Sequence, residues 1–472
     1  MIGRKAEVKK LTDALNSEIS EFVVVYGRRR VGKTFLVNEI CGGRYAFQHA
    51  GVEKATTREQ LDYFRQSISR FGGGRCPRLA NWREAFFELS VLLEKSSAAR
   101  KIVFIDEAPW LDTAKSGFLP ALEHFWNGWA CLRKDIVLVL CGSATSWIVN
   151  EVLRNRGGLH NRVTRPIPMA PFTLKECEEY ASWKRMPFSR WQLAECYMAV
   201  GGVAYYWSLM ASELSAAQNF DALFFAKNAA LKDEFDRLFA SLFKHSAKYV
   251  EIVTTLAKCK SGMTRDELLK CLPTPCGGEI SRYLRELEEC GFICKSSIIG
   301  TIKKGAIYRV IDNFVMFYLD FLRDRKGTEE RFWELSYNEP KLHSWRGRAF
   351  ERICFWHLPQ IRKALGISGI KVDAYAWRAR SYADGDDDAQ IDLLLDRSDR
   401  TVSVCEMKYS DREYAFTETE ERKLKRRIDV FFESTSARKG RHVVLITGYG
   451  LVRNKYSGLV NSVVTFEDLF EG

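Results

Sequence analysis

The run Phe22-Val23-Val24-Val25-Tyr26 opens directly into Gly27-Arg28-Arg29-Arg30-Val31-Gly32-Lys33-Thr34, and Phe35-Leu36-Val37-Asn38-Glu39-Ile40 follows. Few arrangements satisfy this order: a buried strand, a glycine loop, then the first turn of a helix. Glycines let the backbone curl so that successive N–H groups point at one phosphate, and the helix start adds favourable partial charge for an anion. On this reading Gly27 to Phe35 bind a nucleotide, with Lys33 bridging the β- and γ-phosphates of ATP and Thr34 ligating Mg²⁺. The bland alternative is a basic turn that happens to fit the pattern.

A second element completes the chemistry. Ile102-Val103-Phe104-Ile105 ends in Asp106-Glu107. On an open parallel sheet, ligands collect at the carboxyl ends of the strands, so a strand of this kind delivers its acidic pair beside the glycine loop. Asp106 is expected to hold Mg²⁺ through water, and Glu107 to orient and activate the attacking water. Without the glycine loop, such a pair would read as a helix N-cap. A third apolar run, residues 136–142, ends in Ser143-Ala144-Thr145. Ser143, or less favourably Thr145, is positioned to hydrogen-bond the γ-phosphate or the water; an ordinary strand-to-loop turn is the alternative.

These strands alternate with helical patterns at 55–71 and 81–95, the grammar of a parallel sheet with helices on both faces. The chain has 472 residues, too many for a single core. Its 13 cysteines show no paired spacing, which argues against a zinc site and fits a reducing, cytoplasmic setting. No run reaches the ~18 apolar residues of a membrane helix, and residues 1–10 lack an apolar signal core. The net charge of +12 permits a polyanionic partner such as DNA, or is simply a basic surface.

The set GRRRVGKT, FIDEA and LCGSATS, with the opening IGRKAEVKKL, resembles the archaeal-type ATPase family, an additional-strand P-loop group related to AAA+ and signal-transducing ATPases. The resemblance covers residues 1–210 and implies ATP hydrolysis. Gly3-Arg4 and Glu7 resemble the family's N-terminal box near adenine. The segment Leu159-His160-Asn161-Arg162 stands where the family has an arginine after the third strand, so Arg162 is the candidate to stabilise transition-state charge. Gly201, Gly202 and Tyr205 or Tyr206 match a lid element, although Ala204 replaces its usual proline. Related proteins often work as oligomers, so a homo-oligomer is implied as an option.

Further along, helices expected at 246–258, 264–271 and 279–290 precede two strands joined through Lys303-Lys304-Gly305, the winged-helix order. Residues 241–310 carry 12 Lys/Arg against 7 Asp/Glu. Arg282 and Arg285 occupy the recognition-helix position, yet Glu286, Glu288 and Glu289 on the same helix would repel DNA.

In the last third, Asp392 lies in one strand-like run and Glu406-Met407-Lys408 in the next. Alternation puts Glu406 and Lys408 on one face, and a hairpin brings Asp392 alongside. Two carboxylates hold Mg²⁺ and the lysine orients a water, the chemistry of metal-assisted phosphodiester cleavage. The residues resemble the D…ExK signature of the restriction-endonuclease-like superfamily. Helix–three strands–helix–strand order, Gln390, and Glu351 on the leading helix fit that resemblance, and the archaeal-type ATPase family carries such a domain. The acidic run 384–388 departs from it, whereas Arg422 to Arg427 offer a phosphate contact. Alternating Glu and Lys on an exposed strand is the plain alternative. The expected fold is α/β: a P-loop NTPase core with a parallel sheet over 1–170, a helical lid over 171–240, a winged-helix-like module over 241–312, a linker helix over 313–340, and a small α/β nuclease-like domain over 341–472.

Overall fold

In a computed structural model, which describes residues 2–471 except 73, 144, 156, 244, 275, 276, 299–305, 379–389, 436 and 437, the first 171 residues build one parallel sheet. Its strands are β1 (Glu21–Tyr26), β2 (Tyr45–Ala50), β3 (Lys101–Asp106), β4 (Ile136–Gly142) and β5 (Arg165–Pro168), in the order β2-β3-β4-β1-β5. The three central strands, β1, β3 and β4, are buried almost throughout because helices cover both faces, which is why they read as unbroken apolar runs. β4 lies between β1 and β3, pairing in parallel with each, so the phosphate-loop strand and the acidic strand end one strand apart. The two edge strands escaped the sequence reading. β2 is half-buried and mixes polar with apolar residues, and β5 carries Pro166 and Pro168, which an edge tolerates because one side needs no N–H.

Residues 172–472 form a second compact unit. Its sheet has strands β6 (Met263–Thr264), β7 (Ile293–Ile298), β8 (Ala306–Val310), β9 (Val372–Arg378), β10 (Gln390–Arg397), β11 (Thr401–Lys408), β12 (Gly440–Thr447) and β13 (Ser462–Val464). The order is β13-β12-β11-β10-β9-β7-β8-β6. Helices Ser246–Ala257, Arg265–Cys271 and Ile280–Glu289 precede the β7–β8 hairpin. That hairpin joins β9 in parallel, Ser297 opposite Tyr375 and Ile298 opposite Ala376, so the strands of the middle and last thirds make one sheet.

The larger of two apolar clusters in this unit draws on helices Arg190–Val200, Asn313–Phe321 and Pro340–Trp356. The stretch expected as one linker helix is two, Asn313–Phe321 and Phe332–Ser336, because the polar run 323–331 has no apolar face to bury. The aromatic side chains that made it look helical, Phe314, Phe317 and Phe321, are core residues, and Phe321 packs on Trp333 and Trp345, which meet edge to face at 5.3 Å. A buried ion pair, Arg346 Nε to Glu195 Oε1 at 2.6 Å, ties helix 340–356 to helix 190–200, and Tyr337 donates to the same carboxylate. On the other face of β10 and β11, Leu424, Ile428 and Phe431 of helix Glu418–Thr435 cover Leu394 and Val404. No described helix is long and apolar enough to cross a membrane.

Candidate functional site

The phosphate loop follows β1 directly. Gly27 has φ 145°, and a Cβ there would lie 2.2 Å from the Met169 carbonyl oxygen, so no other residue fits. Gly32, at φ 93°, caps helix Lys33–Cys41 and leaves its first N–H groups for an anion. Lys33 is buried, its Nζ donating to the carbonyls of Gly27 (3.0 Å) and Arg28 (2.9 Å), which holds the ammonium at the mouth of the loop. Arg28 and Val31 are buried, Arg29 and Arg30 half-buried, and Phe35 exposed. Arg4, from the N-terminal box, is also buried and donates to the Val31 carbonyl at 3.4 Å, bracing the loop from behind.

Thr34 and Asp106 meet, the threonine Oγ1 donating to Asp106 Oδ2 at 2.7 Å. The other carboxylate oxygen accepts from the Glu107 N–H at 2.9 Å. A hydroxyl and a carboxylate side by side, both hard oxygen donors, suit Mg²⁺. Glu107 takes a left-handed conformation, φ 45°, which turns its side chain back over the strand end. Both of its oxygens are taken by Ser143 at the end of β4, Oε1 by the hydroxyl (2.5 Å) and Oε2 by the backbone N–H (3.1 Å). Ser143 therefore orients Glu107, where the sequence pointed it at phosphate or water. The Thr145 hydroxyl is buried with no hydrogen-bond partner among the described residues. Arg162 is exposed in a turn, with its N–H donating to the Leu159 carbonyl at 3.1 Å.

The second unit gathers its own carboxylates. β10 and β11 pair antiparallel with Leu393 opposite Cys405, so Asp392 and Glu406 follow at the same end. The β10–β9 register shifts between Ile391 and Leu394, a bulge that re-aims Asp392. Glu351 sits within electrostatic reach of both. Burial first, then Asp392, pushes its carboxyl up to about 7 from 4.5, while Arg309 and Arg352 oppose the shift. Each acid already has a cation. Arg309 Nη2 lies 3.4 Å from Asp392 Oδ1, which also accepts from the Gln390 amide. Arg427 Nη2 grips both oxygens of Glu406 at 3.1 and 3.0 Å, and Lys408 Nζ lies 3.0 Å from Oε1. Among the described residues, no three of His, Cys, Asp and Glu converge as a metal-binding group. Two carboxylates attended by three cations fit a divalent ion poorly, since it would have to displace a guanidinium.

Sequence reasoning missed Arg309. Arg427 lay within a basic cluster that it had noticed for a different reason. On the expected recognition helix, Arg282 is tied down by Glu279 (2.7 Å) and Glu286 (3.5 Å), while Arg285 is exposed. Lys303, Lys304 and the acidic run 384–388 lie outside the described residues. Gly202 makes a packing contact with the backbone of Phe172, whose N–H donates to its carbonyl, and the Tyr206 hydroxyl donates to buried Glu234, so this element builds the second unit's core.

Residues 1–210 match a family described as an ATPase domain predominantly from Archaea. Across 87% of its length the chain is 25% identical to an uncharacterized protein of Methanocaldococcus jannaschii, covering 88% of that protein. In fold it is similar to the Walker-type ATPase of Pyrococcus abyssi, with a TM-score of 0.51 and 17% identity over 68% of this chain and 96% of that one. Residues 1–210 are thus similar to that ATPase-domain family, and the chain shares its α/β fold with the Pyrococcus abyssi protein.

Proposed function

We propose that this protein hydrolyses ATP at Gly27–Phe35, Asp106 and Glu107, and that its nucleotide state gates a DNA-processing function of the C-terminal unit. The observation that carries the first part is the Thr34–Asp106 contact of 2.7 Å beside the buried Lys33. Mg²⁺ held by Thr34 and Asp106 would offset charge on the β- and γ-phosphates. Lys33 and the loop N–H groups bind and orient those phosphates. Glu107, released from Ser143, accepts hydrogen bonds from a water and aligns it for attack. Arg162 is the candidate to meet the charge that develops on the transferred group. Lys33→Ala is expected to abolish ATP turnover in the purified protein; turnover at the unmodified rate would refute the site.

For the C-terminal unit, the reading rests on Asp392, Glu406 and Lys408 at one strand end, with Glu351 opposite. In that reading Asp392 and Glu406 would hold Mg²⁺ for phosphodiester cleavage only after Arg309 and Arg427 had given way. Arg309 and Arg427 on those carboxylates favour a second reading, in which the unit binds DNA or a partner without cutting. Incubation with plasmid and linear DNA, Mg²⁺ or Mn²⁺, with and without ATP, separates the two. Cleavage lost in Lys408→Ala supports a nuclease. Absence of cleavage with ATP turnover intact supports a recognition module.

A further inference from the structure

Within the second unit lies a cavity of about 570 Å³, bounded by helices 246–257, 313–321 and 340–356 and by Arg309 and Val310 of β8. That volume falls in the range of small-molecule sites, ~300–1,000 Å³. Its lining is rich in cations. Arg309, Arg323 and the pair Arg348 and Arg352, one turn apart on helix 340–356, come from three stretches of chain, and exposed Lys258 and Lys260 also line it. Against these six are three acids: Asp320, 3.5 Å from Arg348, together with Asp324 and Glu351.

Arg352 is the informative residue. It is 6% exposed, and its Nε donates to Asn313 Oδ1 (3.0 Å) and its Nη1 to the Arg348 carbonyl (3.3 Å). Its Nη2 is buried with no acceptor among the described residues. A buried guanidinium with an unused donor costs stability unless an anion satisfies it. The apolar part of the lining is formed by Met316, Leu319 and the ring of Phe355, over which the Arg309 guanidinium lies at 5.7 Å. Arginine forks match the oxygens of a phosphate, and an apolar wall with an aromatic ring accepts the face of a base.

We propose that this cavity binds a nucleotide by its phosphate monoester, carried either by a free nucleotide or by the end of a nucleic-acid strand. The inference requires neither the glycine loop nor a metal at Asp392 and Glu406, although the cavity shares Arg309 and Glu351 with that carboxylate cluster. It is tested on the full chain carrying Lys33→Ala, in EDTA, so that neither ATP turnover nor cleavage contributes. The probe is a trinucleotide with a 3′-fluorescein and a 5′-phosphate, followed by fluorescence anisotropy beside its 5′-hydroxyl counterpart. The phosphorylated probe is expected to bind about tenfold tighter or more, and Lys258→Ala/Lys260→Ala to weaken it about tenfold. Arg352→Lys is expected to weaken it at least as much, with its circular dichroism compared to the parent; the rim pair keeps the test valid if that variant fails to fold. Displacement of the probe by AMP supports a free nucleotide as ligand, and its persistence supports a strand end. Equal binding of the two probes, or full affinity in the rim variant, overturns the proposal.

Discussion

The two acidic pairs of this molecule use the same residue types at the ends of strands and are dressed in opposite ways. Asp106 and Glu107 are held by neutral donors, the hydroxyls of Thr34 and Ser143 and two backbone N–H groups. Asp392 and Glu406 are held by Arg309, Arg427 and Lys408. Neutral donors orient a carboxylate and leave its charge available to a cation or a water. Arginines cancel that charge, and a metal must then compete with them. A strand-end acid is therefore not in itself a metal site; its partners decide what it is ready to do.

The largest effect that tests this contrast is at Glu107. Replacing it by glutamine keeps the hydrogen bonds to Ser143 in modified form and removes the charge. ATP turnover is expected to fall by roughly 10²–10⁴-fold with ATP binding retained, the range for losing a positioned general base. Turnover and nucleotide affinity, measured side by side, check this; a change within about threefold would move the water-aligning role to another group and break the comparison at its first half.

The geometry of the proposed nucleotide site was largely legible in the sequence because its parts are short and local. The loop is eight consecutive residues, and Asp106 and Glu107 end an apolar run whose burial forces its direction. The role of Ser143 was not, since nothing in residues 136–145 shows that Glu107 turns back through a left-handed conformation to meet it. At the second site the carboxylates and Lys408 were readable from strand alternation, but the arginine partners were not. Arg309 reaches Asp392 from 83 positions earlier in the chain, and it does so because β7 and β8 join the sheet at β9, a pairing that involves two residue pairs. No local pattern encodes so short a seam. The edge strands β2 and β5 were lost for the complementary reason: edges need neither unbroken apolarity nor every N–H, so they leave a weak signal.

A smaller effect sharpens the second half. The Glu351 carboxyl is pushed up to about 7 from 4.5, by burial first and then by Asp392. The folded state therefore holds this proton more tightly than the unfolded chain. Wild-type stability should fall as pH rises between those two values, with the full penalty above the upper one. Glutamine cannot ionise, so Glu351→Gln should match the parent at acid pH and exceed it by roughly 1–3 kcal/mol at alkaline pH. Thermal midpoints of both proteins across pH 4 to 8.5 (about the limits needed) test this. Parallel curves would mean that Glu351 does not feel the crowding of acids at this strand end.

The smallest effect addresses the cations themselves. If Arg427 occupies the electrostatic position of a metal on Glu406, Arg427→Gln should tighten binding of Mn²⁺ about tenfold, since removing one adjacent positive charge at near contact is worth on the order of 1–2 kcal/mol at the effective dielectric of a half-exposed site. The measurement is a Mn²⁺ titration of the full chain carrying Asp106→Ala, so that the first site does not contribute. Arg309→Gln, acting on Asp392 across the longer 3.4 Å contact, should give a weaker gain in the same direction. Unchanged or weaker Mn²⁺ binding in both variants would mean that the arginines shape the site without competing for it. The contrast between the two acidic pairs would then lie in how they are oriented, and the C-terminal carboxylates would act with their arginines as one neutral, hydrogen-bonding surface.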